Sequence, residues 1–416
     1  MNVLKFLTSP ARIGFVLAGL VLPTACGGGG SSGVSVGSVT ASSNGCVKTV
    51  NTPVTSATPI SQLPYAKRAA ALAAALGKPQ RLLVGLGSVD LASIQAQSLL
   101  PDIYDTYLNE VGPTAWPTWN SPSGQYVQNW AKNADCLGAV PMYTLYQMAT
   151  RGDGNLTVLQ DFAFMQGYWA NVRLLFTQLK TYGKPALVNF EPDFWGYAQR
   201  ISRDPTRQFA QVTLVNPDCT DLGDDIAGLA GCLIRMARKY APNAYIGFPP
   251  AQFGDVGATE LDYFKAIGAD KADFLVMQTL DRDIGCIEAG YVASNANCLR
   301  NRNTSALNPW DESNATTPNF FQHFASAKNY STTLGLPLVW WQTPLGVASS
   351  TQGGSVNAFR DNRVRYFLTH PAELVAAGGV GVVFSPGHIT QTNINTDGGQ
   401  FRTYSGGYFA KPAALP

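Results

Sequence analysis

Short, almost wholly apolar segments alternate with longer amphipathic segments from about residue 80 to the end of the chain. Each short segment is rich in residues that favour β-structure and shows little apolar–polar alternation, which is typical of strands buried on both faces. Eight such segments predict strands, at Arg81–Gly87, Asp102–Leu108, Gly138–Tyr146, Ala186–Phe190, Tyr245–Phe248, Phe274–Leu280, Leu338–Gln342 and Val380–Phe384.

The longer segments predict helices between these strands. They include Tyr65–Leu76 before the first strand, and later Leu156–Tyr182, Asp224–Tyr240, Asn319–Leu334 and Asp361–Ala377. Strand–helix alternation over eight units, with no break into halves, favours a closed (β/α)8 TIM barrel in the α/β class. It would form a single domain over residues 61–416. An open doubly wound sheet is the alternative, but its Gly-rich phosphate loop is matched only weakly after the first strand.

The N-terminus has the features of an export signal. Basic residues precede an apolar stretch, Ile13–Leu22, which is shorter than the roughly 20 residues of a membrane-spanning helix. Residues 1–25 are therefore predicted to be a signal peptide. Leu22-Pro23-Thr24-Ala25-Cys26 resembles the lipobox of bacterial lipoproteins, which implies that Cys26 is the lipidated first residue. The match departs at Pro23, where that pattern usually has Leu, and secretion without a lipid is the alternative.

Residues 26–60 are rich in Gly, Ser and Thr, and this composition predicts a flexible tether between a lipid anchor and the folded domain. We therefore expect an exported protein of the cell envelope. Its anchor would hold it to the outer membrane or the cell surface, and it would be secreted if it is not lipidated.

Charge and cysteine content narrow the partners. The formal net charge is +2 and charged residues make up 13% of the chain, with no basic run, which argues against nucleic acid as a partner. We expect a monomer without metal or cofactor, because no metal-ligand spacing is present. Setting Cys26 aside leaves six of the seven cysteines. In an exported chain we interpret them as disulfides Cys46–Cys136, Cys219–Cys232 and Cys286–Cys298, although other pairings stay open.

The fourth predicted strand ends in a candidate catalytic carboxyl, Glu191, which precedes Pro192. In parallel barrels the working residues lie at the C-terminal ends of strands. Neighbouring aromatic side chains would partly desolvate this carboxyl and raise its pKa, which suits a general acid. The structural alternative is that Glu191 caps a neighbouring segment or pairs with an Arg such as Arg200.

Asn189-Phe190-Glu191-Pro192 resembles the Asn-Glu-Pro motif of the large clan of retaining glycoside hydrolases with (β/α)8 barrels. The resemblance implies that Glu191 is the acid/base catalyst and that Asn189 lies beside the substrate. Asp193, two residues after Glu191, is also predicted to bind the substrate. Phe190 interrupts the motif. The clan's nucleophile, a Glu at the end of strand seven, is replaced here by Gln342, and this substitution puts the retaining mechanism in doubt.

A second carboxyl is needed for glycoside hydrolysis, and the best candidates follow the sixth predicted strand. Asp283 or Asp281 would act as base or nucleophile, although a surface Asp–Arg network is an equally good interpretation. Other carboxyls near strand ends are Asp90, Asp255, Glu260 and Asp397.

Aromatic and amide side chains at the predicted strand ends suit a neutral sugar, because aromatic planes pack on C–H faces and amides pair with hydroxyls. The predicted binding residues are Tyr143, Trp195, Gln278, Trp340, Trp341 and Gln342, and Trp116, Trp119, Tyr146 and Gln147 share the pattern. His388 lies in the loop after the last strand and is either a substrate ligand or a plain loop residue. Trp169, within a predicted helix, is expected in the core.

Two functions follow from these features. The first is an exported glycoside hydrolase that acts on a polysaccharide or oligosaccharide through carboxyl acid/base catalysis. The second is a surface lipoprotein that binds glycan without cleaving it. Acyl or phosphate transfer is disfavoured, since neither a Gly-x-Ser-x-Gly nucleophile turn nor a phosphate loop is present.

Overall fold

A computed structural model describes residue 46 and residues 59–251, 257–279, 310–348, 357–386 and 391–416. Its eight strands are parallel and close into a barrel in chain order, with β8 pairing back onto β1. The predicted (β/α)8 barrel is therefore confirmed. The strands are β1 Leu83–Gly87, β2 Ile103–Asn109, β3 Val140–Tyr146, β4 Ala186–Phe190, β5 Ala244–Phe248, β6 Phe274–Gln278, β7 Leu338–Pro344 and β8 Gly379–Ser385.

Helices separate the strands and surround the barrel. In the described part of the chain they are α1 Tyr65–Ala75, α2 Leu91–Ala96, α3 Gln125–Leu137, α4 Phe162–Tyr182, α5 Phe194–Ile201, α6 Ile226–Tyr240, α7 Ala258–Ala266, α8 Phe320–Leu334, α9 Arg363–Thr369, α10 Pro371–Ala376 and α11 Gln400–Ala410. None of the helices in these ranges is both long enough and apolar enough to cross a membrane.

Two predicted helices differ from the observed ones. The segment Asp361–Ala377 is two helices, because Pro371 has no amide hydrogen and disfavours helical geometry at the preceding residue. The segment Leu156–Tyr182 begins with a short 3₁₀ turn, and α4 starts only at Phe162. There the Asp161 carboxylate accepts a hydrogen bond from the Phe164 amide and caps the helix.

The buried side chains form two layers. An inner layer fills the barrel, and α1 contributes Leu72 and Leu76 to the same apolar cluster. An outer layer lies between the strands and the surrounding helices. Successive residues of a strand point to opposite faces, so each strand supplies both layers. The inner layer includes Leu83, Ile103, Tyr107, Met142, Tyr146, Leu187, Val276, Val339, Trp341 and Val383.

The disulfides Cys46–Cys136 and Cys219–Cys232 are both formed, as the sequence predicted. The predicted pair Cys286–Cys298 lies outside the described residues, as do Cys26, Asp255, Asp281, Asp283 and His388. Within the described ranges, no group of three or more His, Cys, Asp or Glu side chains could hold a metal ion.

Candidate functional site

The C-terminal ends of the strands form the mouth of the barrel, and a carboxyl group on β2 lies inside it. Asp105 is 1% exposed and belongs to a strand that is otherwise largely apolar. Gly87, the last residue of β1, pairs with Asp105. A Cβ atom on Gly87 would lie 3.0 Å from Asp105 Oδ2, so the absence of a side chain there gives the carboxyl its room.

Side chains from two other strands hold this carboxyl. Trp341 Nε1 on β7 donates to Asp105 Oδ2 over 3.0 Å, and Thr144 Oγ1 on β3 donates to Oδ1 over 2.9 Å. Asn189 Nδ2 on β4 donates in turn to Thr144 Oγ1 over 3.4 Å. Burial raises the pKa of Asp105 to about 7, and the bonds from Trp341 and Thr144 partly oppose that rise. Asp105 is therefore able to take up or release a proton near neutral pH.

Three aromatic rings of the inner layer, Tyr107, Tyr146 and Trp341, lie together and are named here the aromatic trio. The ring centroids of Tyr107 and Tyr146 are 6.0 Å apart, and those of Tyr107 and Trp341 are 5.5 Å apart. The Tyr146 hydroxyl donates to Asp153. Desolvation, followed by the charges of Asp193 and Asp153, raises the pKa of Tyr146 above its ordinary value.

Neutral amides lie at inner positions on neighbouring strands. Among the described residues, no hydrogen-bond partner is found for Gln278 Nε2 or for Asn189 Oδ1. Gln342 occupies an irregularity of β7, where the register against β8 shifts and Gln342 takes a φ of 52°. Amides placed beside aromatic rings can hydrogen-bond the hydroxyls of a neutral ligand whose C–H faces pack on the rings.

Glu191 follows β4 as predicted, and its carboxyl is held by the chain that follows β3. It is 0% exposed, and its Oε2 accepts hydrogen bonds from the amides of Gln147 and Met148, over 2.9 and 3.0 Å. The φ of 50° at Glu191 turns the chain sharply before α5, and Tyr168 of α4 lies beside the carboxyl. Burial raises the pKa of Glu191 to about 8, although these donors oppose the rise. The carboxyl of Glu191 is therefore enclosed among the described residues, and its role as acid/base catalyst stays a prediction.

Three aromatic residues predicted to bind a sugar lie away from the barrel interior. Tyr143, Trp195 and Trp340 lie in the outer layer, between the strands and the helices, so they present no surface to a ligand inside the barrel. The Tyr143 hydroxyl donates to the Val127 carbonyl, and Trp195 Nε1 donates to the Phe190 carbonyl. Their hydrogen bonds serve the packing of helices on the barrel, and the prediction for these three is corrected. Trp169 lies in the core as expected.

The other described carboxyls near strand ends have structural partners. Asp90 caps α2 by accepting from the Ser93 amide, and Asp397 accepts from the amides of Gly399 and Phe401. Glu260 is buried and accepts a hydrogen bond from the Tyr330 hydroxyl. Asp193 is half-buried and is the rim carboxyl that acts on Tyr146.

Sequence reasoning missed Asp105, Tyr107 and Thr144. One signal was available, because Asp105 interrupts an apolar strand, Ile103–Asn109, that is buried on both faces. A charged residue in such a strand is rare unless it is paired, and is therefore a candidate for a functional role.

No family model matches the chain, and no curated protein matches it. Several solved structures are similar to it. One is GH26C from a Muricauda species, with 12% identity, coverage of 85% of this chain and 90% of that one, and a TM-score of 0.47. Fungal β-1,4-galactanases are 14% identical, with coverage of 71% of this chain and 79% of that one and a TM-score of 0.40. D-psicose 3-epimerase from Clostridium cellulolyticum is 10% identical, with coverage of 79% of this chain and 99% of that one and a TM-score of 0.39. Different activities occur among these neighbours, so the likeness does not identify a reaction.

Proposed function

We propose that this protein binds a neutral saccharide at the mouth of its barrel. The observation that carries the proposal is the aromatic trio at inner positions, with the amides of Asn189 and Gln278 on neighbouring strands. Sugar rings pack their C–H faces on aromatic side chains, and amides both donate to and accept from hydroxyls. The low charge of the chain, 13% Asp, Glu, Lys and Arg, suits an uncharged ligand.

Hydrolysis of a glycosidic bond is the second candidate function, and Asp105 is the observation that favours it. A glycosidase needs two carboxyl groups on either side of the scissile bond, one of which holds a proton at the working pH. Asp105, with its pKa raised to about 7, meets the second condition. Its counterpart would be the carboxyl of Asp193, or that of Asp281 or Asp283, which follow β6 in the sequence. Glu191 is not part of this proposal, because its Oε2 already accepts from the backbone amides of Gln147 and Met148.

Export and lipidation at Cys26 belong to the same proposal. Two disulfides in the described residues support an oxidising compartment, where such bonds persist. Expression in a bacterial host with a labelled fatty acid tests this directly. Label should enter the wild-type chain and be absent from a Cys26→Ser variant, whereas equal labelling of the two chains contradicts lipidation.

The binding proposal is tested by titrating the purified folded domain against a panel of neutral oligosaccharides. Replacing Trp341 by Ala removes one ring of the aromatic trio, and we expect affinity to fall about tenfold or more. The matched control is Leu100→Ala, since Leu100 is 54% exposed just before β2, at the opposite end of the barrel. Binding of no panel member by the wild type, or equal affinity of both variants, contradicts the proposal.

Hydrolysis is then separated from binding by measuring new reducing ends in the bound oligosaccharides. An active enzyme should lose most of its turnover in an Asp193→Asn or an Asp283→Asn variant, because one carboxyl cannot serve both sides of the bond. Tight binding without any new reducing ends makes the protein a glycan-binding barrel.

A further inference from the structure

The orientation of the Trp341 ring is not set by regular strand pairing alone. The register of β7 against β8 shifts between Trp340 and Thr343, and Gln342 has a positive φ. On its other edge β7 stays in register, with Trp341 paired to Gln278 of β6, so strand pairing directs the side chain inward while the rotation of the ring needs a further contact. Trp341 is nevertheless 2% exposed, and its centroid lies 5.5 Å from that of Tyr107.

The indole hydrogen bond to Asp105 supplies the missing constraint. It crosses the barrel from β7 to β2 and joins residues 236 positions apart in the chain. Trp341 Nε1 is a donor only, so it needs a fixed acceptor when it is buried. Asp105 is itself held at its other oxygen by Thr144, which Asn189 steadies in turn. Four strands thus combine to place one indole ring.

We propose that Asp105 is a positioning residue that holds Trp341 as the floor of the saccharide site. The inference rests on the proposed function, because the ring matters only if a ligand packs on it. Asp105 is 1% exposed, and its carboxyl accepts a hydrogen bond from the indole N–H of Trp341. Its effect on binding passes through the indole ring.

Both protonation states of Asp105 can hold the ring, although with different strength. The ionised carboxylate accepts from Trp341 and Thr144 together, and hydrogen bonds to a charged acceptor are the stronger ones. The protonated acid accepts from Trp341 at Oδ2 and turns its own hydroxyl toward Thr144. Asn in place of Asp105 reproduces this second arrangement, with Oδ1 accepting from the indole and Nδ2 donating to Thr144.

Other titratable groups near Asp105 do not mimic its titration. The phenol of Tyr126 approaches from α3, and its pKa is raised above the ordinary value by burial and by Asp105. Tyr107 and Tyr146 are the phenols of the inner layer, and the pKa of Tyr146 is also raised. The rim carboxyls Asp153 and Asp193 act on Tyr146. Near pH 7 the phenols of Tyr126 and Tyr146 keep their protons, so a change of the indole signal there reports the carboxyl of Asp105.

The experiment combines saccharide titration with the indole N–H resonance of Trp341, assigned among the eight tryptophans by a Trp341→Phe variant. In the wild type we expect that resonance to shift with pH, with a midpoint near 7. Asp105→Asn should abolish the titration and keep saccharide affinity within about threefold. Asp105→Ala should move the resonance at every pH and weaken binding about tenfold.

The outcomes separate the inference from the proposed function. A wild type that binds no saccharide overturns the proposed function and this role with it. A wild type that binds, with an Asp105→Ala variant that binds equally tightly, overturns the inference alone. If Asp105→Ala does not fold, the Asn variant decides, because an indole resonance that titrates unchanged in Asp105→Asn also overturns the inference.

Discussion

Two buried carboxyl groups, Asp105 within β2 and Glu191 directly after β4, are alike in burial and differ in what they touch. Asp105 and Glu191 are both almost wholly enclosed, and burial raises their pKa values to about 7 and about 8. Asp105 accepts hydrogen bonds from two side chains, Trp341 of the aromatic trio and Thr144. The Glu191 carboxylate accepts hydrogen bonds from the backbone amides of Gln147 and Met148, and the Tyr168 side chain lies beside it.

The difference shows that a perturbed pKa does not by itself mark a working acid. Desolvation raises the pKa of any enclosed carboxyl, whether it serves catalysis or architecture. The hydrogen-bond partners of a buried carboxyl distinguish a catalytic role from a structural one. A carboxylate that accepts backbone amides fixes the course of the chain, here at the start of the loop after β3. A carboxyl that bridges side chains across the barrel fixes the shape of the site.

The largest expected effect is on stability and comes from removing the Glu191 carboxyl. Glu191→Ala leaves two buried backbone amides without an acceptor, at a cost of about 2 kcal/mol each, so unfolding should become easier by about 4 kcal/mol. Urea denaturation at pH 7 measures this change. Saccharide affinity of the folded fraction should stay near the wild-type value, because Glu191 is not among the proposed ligand contacts.

Glu191→Gln is the matched control, since its amide oxygen can accept from both Gln147 and Met148. We expect a change in unfolding free energy within about 1 kcal/mol. If the Gln variant loses saccharide affinity while remaining as stable as the wild type, Glu191 has a functional role and the comparison with Asp105 fails.

The second effect is the pH dependence of stability. In the unfolded chain the two carboxyls ionise near 3.8 and 4.5, but in the folded protein they keep their protons to about 7 and about 8. Between about pH 5 and 7 these two carboxyls therefore bind more protons in the folded state. Their contribution to the free energy of unfolding should fall as pH rises, by at most about 1.4 kcal/mol per pH unit for each carboxyl. Burial lowers the pKa of His323 from 6.5 to about 3, so His323 opposes this trend below about pH 6.5, and the comparison with a variant isolates the carboxyl contribution.

Denaturation midpoints collected from pH 5 to pH 8 test this sign. Glu191→Gln removes one of the two titrating groups, and its stability curve should be flatter than that of the wild type. A curve of unchanged slope in the variant would mean that Glu191 is already ionised in the folded state across this range.

The barrel could be predicted from sequence because it depends on a repeated pattern. Each of the eight predicted strands overlaps an observed one, and Ala186–Phe190 has the same bounds in both. Apolar runs ended by Gly or Pro carry this information locally. Helix boundaries are also set by single residues, such as Asp161 and Pro371. The predicted helix Asp361–Ala377 differs from the observed ones because it includes Pro371.

The site was harder to predict, because strands buried on both faces give no alternation to show which side chains point inward. Tyr143 and Tyr146 lie three residues apart on β3 and so point to opposite faces, but the apolar sequence of the strand does not show which of the two faces the barrel interior. The surroundings of the Glu191 carboxyl could not be predicted for a different reason. Its backbone has a positive φ, which redirects the side chain and which no local sequence pattern announced.

The smallest predicted effect concerns Trp340 and Trp341, neighbours on β7 that face opposite layers. Trp340 Nε1 donates to His323 Nε2 over 2.8 Å, and burial, followed by the charge of Arg363, lowers the pKa of His323 to about 3, so the imidazole is a neutral acceptor. Trp340→Phe should cost about 1 kcal/mol of stability and leave saccharide affinity unchanged. Trp341→Phe should instead weaken binding severalfold, because its ring loses the bond to Asp105. Loss of affinity in the Trp340 variant, measured beside its unfolding curve, would show that the outer layer also shapes the site.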